Sequence, residues 1–412
     1  MSLTVERLDL RGDGVAGDLR VARVLPGEVV DGEAVGGRIA RPRILTPSPD
    51  RIAAPCPHFR ACGGCALMHA SDAFVAGWKQ GVVERALTGQ ELDAPFRPVL
   101  TSPPNSRRRA TLAGRRLKSG ALVGFHARAS DSLTAVPGCH LLDPVLLATL
   151  PALEAVTVAG ASRKGELSLT LTALRPGPDL AVRGGKPLDP SLRAELAGIA
   201  AGAGLSRLTW EGEPVFQAEP PWLAMGRARV SPPPGAFLQA TPQGEAALVA
   251  AVRAALGGAA RVADLFAGCG TFALPLAESA EVHAVEGEAA MLAALDAGWR
   301  GASGLKRVTT EARDLFRRPL LPDELARFDA VVIDPPRAGA EAQVAQVAAA
   351  RVPVVAMVSC NPVSFARDAR TLIAAGYGLD WVQVVDQFRW SAHVELAARL
   401  SLPHIAAKAR GA

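Results

Sequence analysis

Beyond residue 236 the chain alternates short apolar runs with segments of helical periodicity. Thr241 and Pro242 supply the N-cap and the first residue of a helix that runs to about Gly257. Seven strand-like runs follow: "RVADLF", "EVHAVEG", "RVTTEARD", "DAVVIDPP", "VPVVAMVSC", "LDWVQVVDQF" and "HVELAARL". Helical patterns separate the first five, and this alternation predicts an α/β domain with a doubly wound, mostly parallel sheet over residues 236–407. Ligands of such sheets bind beyond the carboxyl ends of the strands.

The first half of the chain divides into four segments. Residues 1–47 alternate β-like runs with turns, which predicts a small strand-rich barrel. Residues 48–70 contain a cysteine-rich loop, and residues 71–92 have the apolar spacing of one amphipathic helix, which we expect to pack on the last domain. Residues 93–235 contain strand-like runs joined by turns rich in proline and glycine. We therefore expect a β-rich central domain, which ends near "SPPPG".

Length and composition limit the class of protein. A chain of 412 residues exceeds one ordinary core and predicts two or three domains. Its 49% apolar and 21% charged residues are typical of a soluble globular protein. No apolar run is long enough to span a bilayer, and the N-terminus lacks the apolar segment of a signal peptide. We expect a cytoplasmic monomer with reduced thiols and no membrane partner.

The net charge of +5 and the pI of about 9.1 are mild, but part of the positive charge is concentrated in one segment. "NSRRRATLAGRR" contains Arg107, Arg108, Arg109, Arg115 and Arg116. The planar guanidinium group matches phosphate oxygens and stacks on bases. This clustering favours contact with nucleic acid over the alternative, a solvated charged strand.

Four of the six cysteines form a pattern typical of a metal site. Three lie in "CPHFRACGGC" with the spacing C-x5-C-x2-C, and the fourth follows much later in "VPGCH". Three crowded ligands and one remote ligand favour a cubane [4Fe–4S] cluster over zinc, which more often uses two close-set pairs. The candidate ligands are Cys56, Cys62, Cys65 and Cys139.

A glycine loop and two carboxylates follow the first three strands of the predicted sheet. "DLFAGCGTFALPLA" fits G-x-G-x-x-A, whose glycines let a ligand approach the backbone closely. Glu286 ends the second strand, where a carboxylate accepts hydrogen bonds from ribose hydroxyls. Asp314 ends the third strand and is placed to bind an adenine amino group. Nicotinamide, flavin and S-adenosylmethionine all satisfy this pattern.

The fourth and fifth strands end in residues with more specific chemistry. Asp334, in "DPPRAG", lies on a rigid turn, and this segment alone suggests methylation of an exocyclic amine. Cys360, in "SCNP", changes that interpretation, because a thiolate can add to C6 of a pyrimidine and make C5 nucleophilic. A base must then remove the C5 proton, and Glu395 in "SAHVE" is the best candidate. The alternatives are a buried core thiol and a solvated carboxylate.

Six segments of the chain resemble the ordered motifs of the RNA (uracil-5)-methyltransferases: "FLQATPQGEAAL", "DLFAGCGTFALPLA", "AVEGE", "IDPPRAG", "VSCNP" and "HVE". The cysteine pattern resembles the branch of that family that carries a [4Fe–4S] cluster and methylates 23S rRNA. "VARVLPGEVV" is similar to the family's N-terminal TRAM module, and "SRRRATL" resembles the start of its central RNA-binding sheet. The resemblance covers nearly the whole chain.

This resemblance implies a TRAM/OB-like β-barrel, a central RNA-binding domain and a Rossmann-like, seven-stranded methyltransferase domain. It makes Cys360 the nucleophile and Glu395 the base in the methylation of a uridine at C5, in 23S rRNA first and tRNA second. It assigns contacts with S-adenosylmethionine to Gln239, Phe266, Thr271, Glu286, Asp314 and Asp334, and cluster ligation to the four cysteines. "DQFRWSAHVE" departs from the family's usual lead-in to the final glutamate. The alternative is a catalytically inactive, redox-responsive iron–sulfur protein that binds RNA.

Overall fold

The N-terminal region consists of short strands around a small apolar core. The structure, a computed structural model, describes residues 2–403. The strands are β1 (Leu3–Thr4), β2 (Arg7–Leu8), β3 (Gly14–Ala16), β4 (Leu19–Val21), β5 (Val29–Asp31), β6 (Arg38–Ile39) and β7 (Arg43–Thr46). They form two sheets, in the orders β1-β5-β7 and β2-β3-β4-β6. Val21, Val30 and Ile39 are among the residues of the core. The predicted strand-rich module is therefore present as two small sheets.

Helix α1 (Asp72–Thr88) follows the cysteine loop, as its apolar spacing predicts. The Ser71 side chain caps it by accepting the N–H of Phe74, and Gly89 follows its last residue. Val82, Val83 and Leu87 are buried in the same apolar core as the strands of the C-terminal sheet. The helix is thus covered by a domain that lies far from it in sequence.

The central region is a sheet covered by helices. Strand β8 (Phe96–Thr101) precedes this region. The elements of the region are β9 (Arg109–Arg116), β10 (Ala121–His126), β11 (Leu133–Ala135), α2 (Pro144–Ala148), α3 (Leu150–Gly160), β12 (Glu166–Thr172), β13 (Asp179–Arg183), α4 (Pro190–Gly202), β14 (Arg207–Trp210), β15 (Glu213–Gln217), β16 (Leu223–Met225) and β17 (Ala228–Val230). Seven of the strands pair in the order β11-β10-β9-β12-β13-β14-β15. Leu153 of α3 and Leu196 of α4 belong to the core of this sheet. The prediction of a β-rich domain overlooked these two helices.

The C-terminal region contains every strand that the sequence predicts. Its elements are α5 (Pro242–Leu256), β18 (Arg261–Leu265), α6 (Ala273–Leu276), β19 (Glu281–Glu286), α7 (Ala289–Arg300), β20 (Val308–Ala312), α8 (Pro322–Leu325), β21 (Ala330–Ile333), α9 (Glu341–Ala350), β22 (Val354–Ser359), α10 (Pro362–Ala374), β23 (Gly378–Asp386) and β24 (Leu396–Ser401). Thr241 caps α5 by accepting the N–H of Gly244 at 2.9 Å, as predicted. The predicted end of this domain at residue 407 lies outside the described residues. Among the helices of residues 2–403, none combines the length and the apolarity that crossing a membrane requires.

The C-terminal sheet has eight strands, one more than predicted, in the order β20-β19-β18-β21-β22-β24-β23-β8. The additional strand is β8, which pairs in parallel with β23, with Phe96 opposite Val382. The sequence prediction placed residues 96–101 in the central region, because adjacent strands in sequence usually pair. Here the chain instead contributes an edge strand to the C-terminal sheet before it enters the central region.

The strand directions bring the predicted site residues to one edge of the sheet. The strands β18, β19, β20, β21 and β22 run parallel, β24 runs antiparallel to β22, and β23 runs antiparallel to β24. Ser359, the last residue of β22, lies opposite Leu396, the first residue of β24. Cys360 and Glu395 are the next residues outward on these two strands. They therefore meet at the carboxyl edge, where ligands bind in such sheets.

A buried ion pair connects α1 to the end of β23. Lys79 and Asp386 are 0% and 1% exposed, and Lys79 Nζ lies 2.5 Å from Asp386 Oδ1. The same ammonium group donates to the carbonyl oxygen of Phe388 at 3.1 Å. Because both charges are removed from water, each depends on the other for compensation. This pair fixes the segment that leads from β23 toward Glu395.

Lys79→Met should destabilise the fold strongly, because it leaves the Asp386 carboxylate buried without its cation. We expect a loss of about 3–5 kcal/mol, typical of removing one partner of a buried pair. Thermal unfolding followed by circular dichroism measures the loss, and Lys79→Met with Asp386→Leu should recover most of it. Asp296→Asn, which breaks an exposed ion pair with Arg300 on α7, is the control and should cost less than about 1 kcal/mol. If Lys79→Met and Asp296→Asn lowered the free energy of unfolding equally, the buried pair would contribute no more to stability than the exposed pair.

Candidate active site

Cys360 lies where β22 ends and α10 begins. Asn361 caps α10, since its side chain accepts the N–H of Val363 at 3.2 Å, and its Nδ2 donates to the carbonyl oxygen of Arg337 at 2.8 Å. Pro362 then occupies the first helical position, where a missing N–H carries no penalty. The Asn-Pro pair thus starts the helix immediately beyond the cysteine and holds the thiol at the edge of the sheet, half-buried.

Glu395 is buried beside this cysteine and is joined to Asp334 through two glutamines. Gln387 Nε2 donates to Glu395 Oε2 at 3.1 Å and to Gln239 Oε1 at 2.6 Å. Gln239 Nε2 lies 3.4 Å from Asp334 Oδ2. Glu395, Gln239 and Gln387 are only 3%, 3% and 1% exposed, so water does not compete for these bonds.

The electrostatics of this group follow from its burial. Burial, with the nearby Glu395 and Asp334 carboxylates, raises the pKa of the Cys360 thiol to about 11, while Arg337 opposes the shift. Burial also raises the pKa of Glu395 well above its usual range; Asp334 adds to this and Gln387 opposes it. Burial raises the pKa of Asp334 to about 7. A thiol and two carboxyl groups therefore share one site in which negative charge is disfavoured.

The glycine loop after β18 approaches Glu286 at the end of β19. Gly268 and Gly270 have φ values of 55° and 97°, which favour glycine, and Phe266 also has a positive φ of 64°. Glu286 Oε2 accepts the N–H of Gly268 at 3.0 Å, and Oε1 accepts the N–H of Glu288 at 3.0 Å. The carboxylate thus anchors the loop and keeps free lone pairs for a ligand.

The remaining residues predicted to bind the methyl donor lie along the same edge. Asp314 follows β20, is exposed, and accepts the N–H of Phe316 at 3.0 Å. The rings of Phe316 and Phe266 have centroids 5.4 Å apart, so the Asp314 turn lies against the glycine loop. Thr271 is half-buried directly after Gly270.

The structure corrects the prediction of RNA contact for Arg108. This residue is 7% exposed, its Nε donates to the carbonyl oxygen of Gln239 at 3.0 Å, and its guanidinium forms an ion pair with Glu245. It supports the backbone of the glutamine network instead of facing solvent. Neighbouring positions on an extended segment point in opposite directions, so a run of arginines cannot all face one partner.

The other arginines of that segment differ among themselves. Arg109 donates to the carbonyl oxygen of Gly235 at 3.0 Å, and Arg115 forms an ion pair with Glu166 at 2.6 Å. Arg116 is exposed at the end of β9, and Arg107 is half-buried. Of the five, Arg107 lines the cleft at Cys360.

The cleft at Cys360 has a volume of about 890 Å³. Its lining includes Arg11, Arg85, Arg107, Arg128 and Arg337, which come from the N-terminal region, α1, the central region and the loop after β21. Arg128 is paired with the buried Asp13 at 2.8 Å. Distant parts of the chain thus contribute positive charge to the walls of the cleft, a pattern that the linear sequence does not reveal.

Cys56, Cys62, Cys65 and Cys139 line one small cavity, although the first three and the last are far apart in sequence. Burial and then the other three sulfurs raise the pKa of Cys65 to about 12. The N–H groups of Gly64 and Leu141 point at Cys62 Sγ and Cys139 Sγ, at 3.3 Å and 3.4 Å. Within residues 2–403, no group of three or more His, Cys, Asp or Glu side chains is arranged to hold a metal ion. The cluster itself therefore stays a prediction, while the donor set and its N–H···S contacts fit one.

Two backbone contacts attach the cysteine loop to the rest of the protein. Gly63 donates to the carbonyl oxygen of His126 at 3.0 Å, and a Cβ at Gly63 would lie 2.5 Å from that oxygen. At the other end of the loop, the carbonyl oxygen of Trp390 accepts the N–H groups of Ala66 and Leu67 at 2.8 Å and 2.9 Å. Trp390 has a φ of 60° and is buried among the apolar residues around the cysteines. The loop is thus fixed to the segment before Glu395.

Sequence reasoning missed three residues of the site: Gln387, Phe316 and Arg337. Gln387 directly follows β23, whose carboxyl end lies at the same edge as that of β22. A polar residue immediately beyond a strand end was the available signal. Phe316 and Arg337 lie in loops, where periodicity gives no information about neighbours.

Cys360 should react slowly with iodoacetamide near neutral pH and progressively faster up to about pH 10. Its raised thiol pKa means that the thiolate fraction still increases about tenfold per pH unit where an ordinary cysteine levels off. Glu395→Gln removes a charge that raises this pKa, so the rate at about pH 9 should increase roughly three- to tenfold. Peptide mass spectrometry measures the rates, with buried Cys269 as the unreactive control. If the reaction rate of Cys360 in the unmodified protein levelled off near pH 8.5, the pKa of this thiol would not be raised.

Comparisons with known proteins agree on one family. The family model described as tRNA (uracil-5-)-methyltransferase matches residues 301–402. An uncharacterized RNA methyltransferase of Brucella suis is 43% identical, with 97% of each chain covered. The 23S rRNA (uracil(1939)-C(5))-methyltransferase RlmD of Chromohalobacter salexigens is 33% identical over 95% of this chain and 87% of its own.

A solved structure matches the fold of nearly the whole chain. It is the tRNA (uracil-54, C5)-methyltransferase of Pyrococcus abyssi in complex with S-adenosyl-L-homocysteine, with a TM-score of 0.76 and coverage of 97% and 99% of the two chains. At 20% identity this likeness shows the fold alone. The relatives aligned over almost the full length, together with the family model, show that this chain belongs to the S-adenosylmethionine-dependent RNA (uracil-5)-methyltransferase family.

Proposed function

We propose that this protein methylates a uridine in RNA at C5 through a covalent bond between Cys360 and C6 of the base. The observation that carries the proposal is the pairing of β22 with β24, which makes Cys360 and Glu395 neighbours at the carboxyl edge. A nucleophile and a base beside each other are what this reaction requires. Gln239, Phe266, Thr271, Glu286, Asp314 and Asp334 are our proposed contacts for the methyl donor.

The two residues act in sequence on the substrate base. The Cys360 thiolate forms a bond to C6, and the electron pair displaced from the C5–C6 double bond makes C5 nucleophilic. S-adenosylmethionine, when bound, supplies the methyl group that C5 receives. Glu395 then takes the C5 proton, the double bond re-forms and the C6–S bond breaks, which releases the thiolate. The uridine has exchanged one hydrogen for a methyl group, and the proton resides on Glu395.

The raised pKa of Glu395 and the arginines of the cleft suit these roles. A carboxylate whose pKa is raised by burial binds a proton more strongly, so ionised Glu395 is a better base than an exposed glutamate. Arg337 lowers the pKa of Cys360 and so favours the thiolate that must add to C6. Positive charge around the cleft also suits a phosphate backbone.

Cys360→Ala should abolish methyl transfer from labelled S-adenosylmethionine to unmodified RNA, with residual activity at least about 10³-fold lower, because no other group can activate C5. Glu395→Gln should instead accumulate a protein–RNA adduct that survives denaturing electrophoresis, because the C5 proton is not removed. Asp296→Asn, in the exposed ion pair on α7, is the control and should keep its activity. Methyl transfer that persists in Cys360→Ala would overturn the covalent mechanism, and the absence of an adduct in Glu395→Gln would overturn the role of Glu395.

We propose 23S rRNA as the target and tRNA as the second candidate. The support is the RlmD relative, which is aligned over 95% of this chain, whereas the family model that names tRNA matches only residues 301–402. Mass spectrometry of 23S rRNA and tRNA from a deletion strain identifies the nucleotide that loses its methyl group. Restoration by the intact chain and not by Cys360→Ala ties that nucleotide to this site.

We also propose that Cys56, Cys62, Cys65 and Cys139 hold a [4Fe–4S] cluster with a structural role. A bound cluster would supply one covalent anchor per thiolate, which ties the cysteine loop to the central region. Arg107 lies close enough to Cys65 and Cys139 to favour their thiolates. The uracil reaction needs no electron transfer, so no catalytic step depends on it.

Anaerobically purified protein should contain about four iron atoms and four acid-labile sulfides per chain. Cys139→Ala should lower both amounts and make residues 48–70 more sensitive to proteolysis, while Cys269→Ala should leave them unchanged. Elemental and sulfide analysis with limited proteolysis measures these effects. One zinc ion without sulfide would identify the alternative metal site.

The alternative, an inactive redox-responsive RNA-binding protein, is less well supported. Family membership and the neighbouring Cys360 and Glu395 both favour catalysis. Tight RNA binding without any binding of S-adenosylmethionine in calorimetry would favour the alternative instead.

A further inference from the structure

Gln387 forms three hydrogen bonds at the point where the two halves of the site meet. Its Oε1 accepts the backbone N–H of Ala240 at 2.7 Å. Its Nε2 donates to Gln239 Oε1 at 2.6 Å and to Glu395 Oε2 at 3.1 Å. At 1% exposure the amide has no access to water, so these partners satisfy both of its N–H groups and its oxygen.

The contact with Ala240 fixes which way this amide points. A backbone N–H can only donate, so the atom that faces Ala240 must be the oxygen of Gln387. The NH₂ group must then face Glu395, and the alternative amide orientation would place two donors against each other. Gln239 is oriented in turn, because its oxygen accepts from Gln387 and its NH₂ group is left to face Asp334 at 3.4 Å. Every hydrogen bond of the network therefore has one possible donor: the backbone N–H donates to Gln387, and the two amide groups donate onward to Glu395 and Asp334.

The charged and titratable groups around Glu395 make this donor important. Asp334 raises the pKa of Glu395, as burial does, and the side-chain bond from Gln387 is what lowers it. Cys360 also faces Glu395, since the carboxylate raises the pKa of the thiol. A base must be ionised to accept a proton, and the Gln387 N–H stabilises that form. The same hydrogen bond holds Glu395 Oε2 on the side of the glutamine amide.

We propose that Gln387 is a positioning residue that holds Glu395 Oε2 through its amide N–H, favours the ionised form of this base, and links it to Gln239 of the methyl-donor site. This inference rests on the proposed function, in which Glu395 removes the C5 proton. It assigns a role to a residue of "DQFRWSAHVE", the segment that departs from the family's usual lead-in.

Gln387→Met tests the proposal, because methionine has a similar shape and provides neither donor. Without the N–H the pKa of Glu395 rises, so ionised base is present only at higher pH. The acid limb of the kcat–pH profile should move up by about one to two units, and kcat at neutral pH should fall by about 10- to 10²-fold. The KM for RNA should stay within about threefold of the unmodified value, and the Cys360 adduct should accumulate on denaturing gels.

Gln387→Glu gives a second, independent signature. A protonated glutamic acid can still donate to Glu395, and it loses that ability when it ionises. This variant should work at low pH and lose activity as pH rises, so its profile gains an alkaline limb. Gln383→Met is the control and should match the unmodified protein, because Gln383 lies within β23 and its amide donates to the carbonyl oxygen of Pro98.

The outcomes separate this inference from the proposed function. If the unmodified protein forms no 5-methyluridine, the proposed function fails. If it forms 5-methyluridine, but Gln387→Met keeps its kcat within about twofold and its acid limb unmoved, Gln387 only fills space and the inference is wrong. Should Gln387→Met fail to fold in circular dichroism, the profile of Gln387→Glu decides: an alkaline limb supports the inference, and an unchanged profile overturns it.

Discussion

The antiparallel pairing of β22 with β24 is the constraint on which the site depends. In a wholly parallel sheet, residues that end one strand and begin another lie at opposite edges. Reversing β24 brings Glu395, at the start of its strand, to the edge where Cys360 ends its own. The register is equally important, since a shift of one residue would turn the carboxylate to the other face of the sheet. Burial of β24 between β22 and β23 holds that register.

Burial in the site favours the neutral forms of the Cys360 thiol and the Glu395 carboxyl group, whereas the proposed reaction uses the thiolate and the carboxylate. Cys360, Glu395 and Asp334 each have a raised pKa; Asp334 raises the pKa of Glu395, and both carboxyl groups raise that of Cys360. Within residues 2–403, neither carboxyl group forms an ion pair with a lysine or an arginine. The fold places an amide donor against each carboxyl group and distributes arginines around the mouth of the cleft. This arrangement keeps the pKa of Glu395 high, so its ionised form is a strong base, and it keeps the Cys360 thiol protonated. A positive charge in direct contact with Glu395 would lower its pKa and weaken the base.

The sequence predicts the elements of the catalytic domain well and their long-range partners poorly. All seven strands and the Thr241 cap followed from periodicity and local chemistry, and the strand-end rule placed Cys360 at the carboxyl edge. Glu395 was predicted from its chemistry, and the reversal of β24 that brings it to Cys360 was not foreseen. The eighth strand was missed because its partner lies almost at the other end of the chain. Arg108 was misassigned because clustering along a chain does not reveal which side chains point inward. Gln387 was overlooked because its significance lies in three partners that no local pattern specifies.

The connection between α1 and the end of β23 has a consequence for how the protein is made. Lys79 and Asp386 are 307 residues apart in sequence, yet each is buried against the other. At a synthesis rate of about 5–20 residues per second, the helix and strand β8 emerge some tens of seconds before their partners exist. During that interval an apolar helix face and an unpaired strand edge are exposed on the ribosome, a hazard for association with other chains. The catalytic sheet can therefore close only after nearly the whole chain has been translated, so a truncated product would have no complete active site.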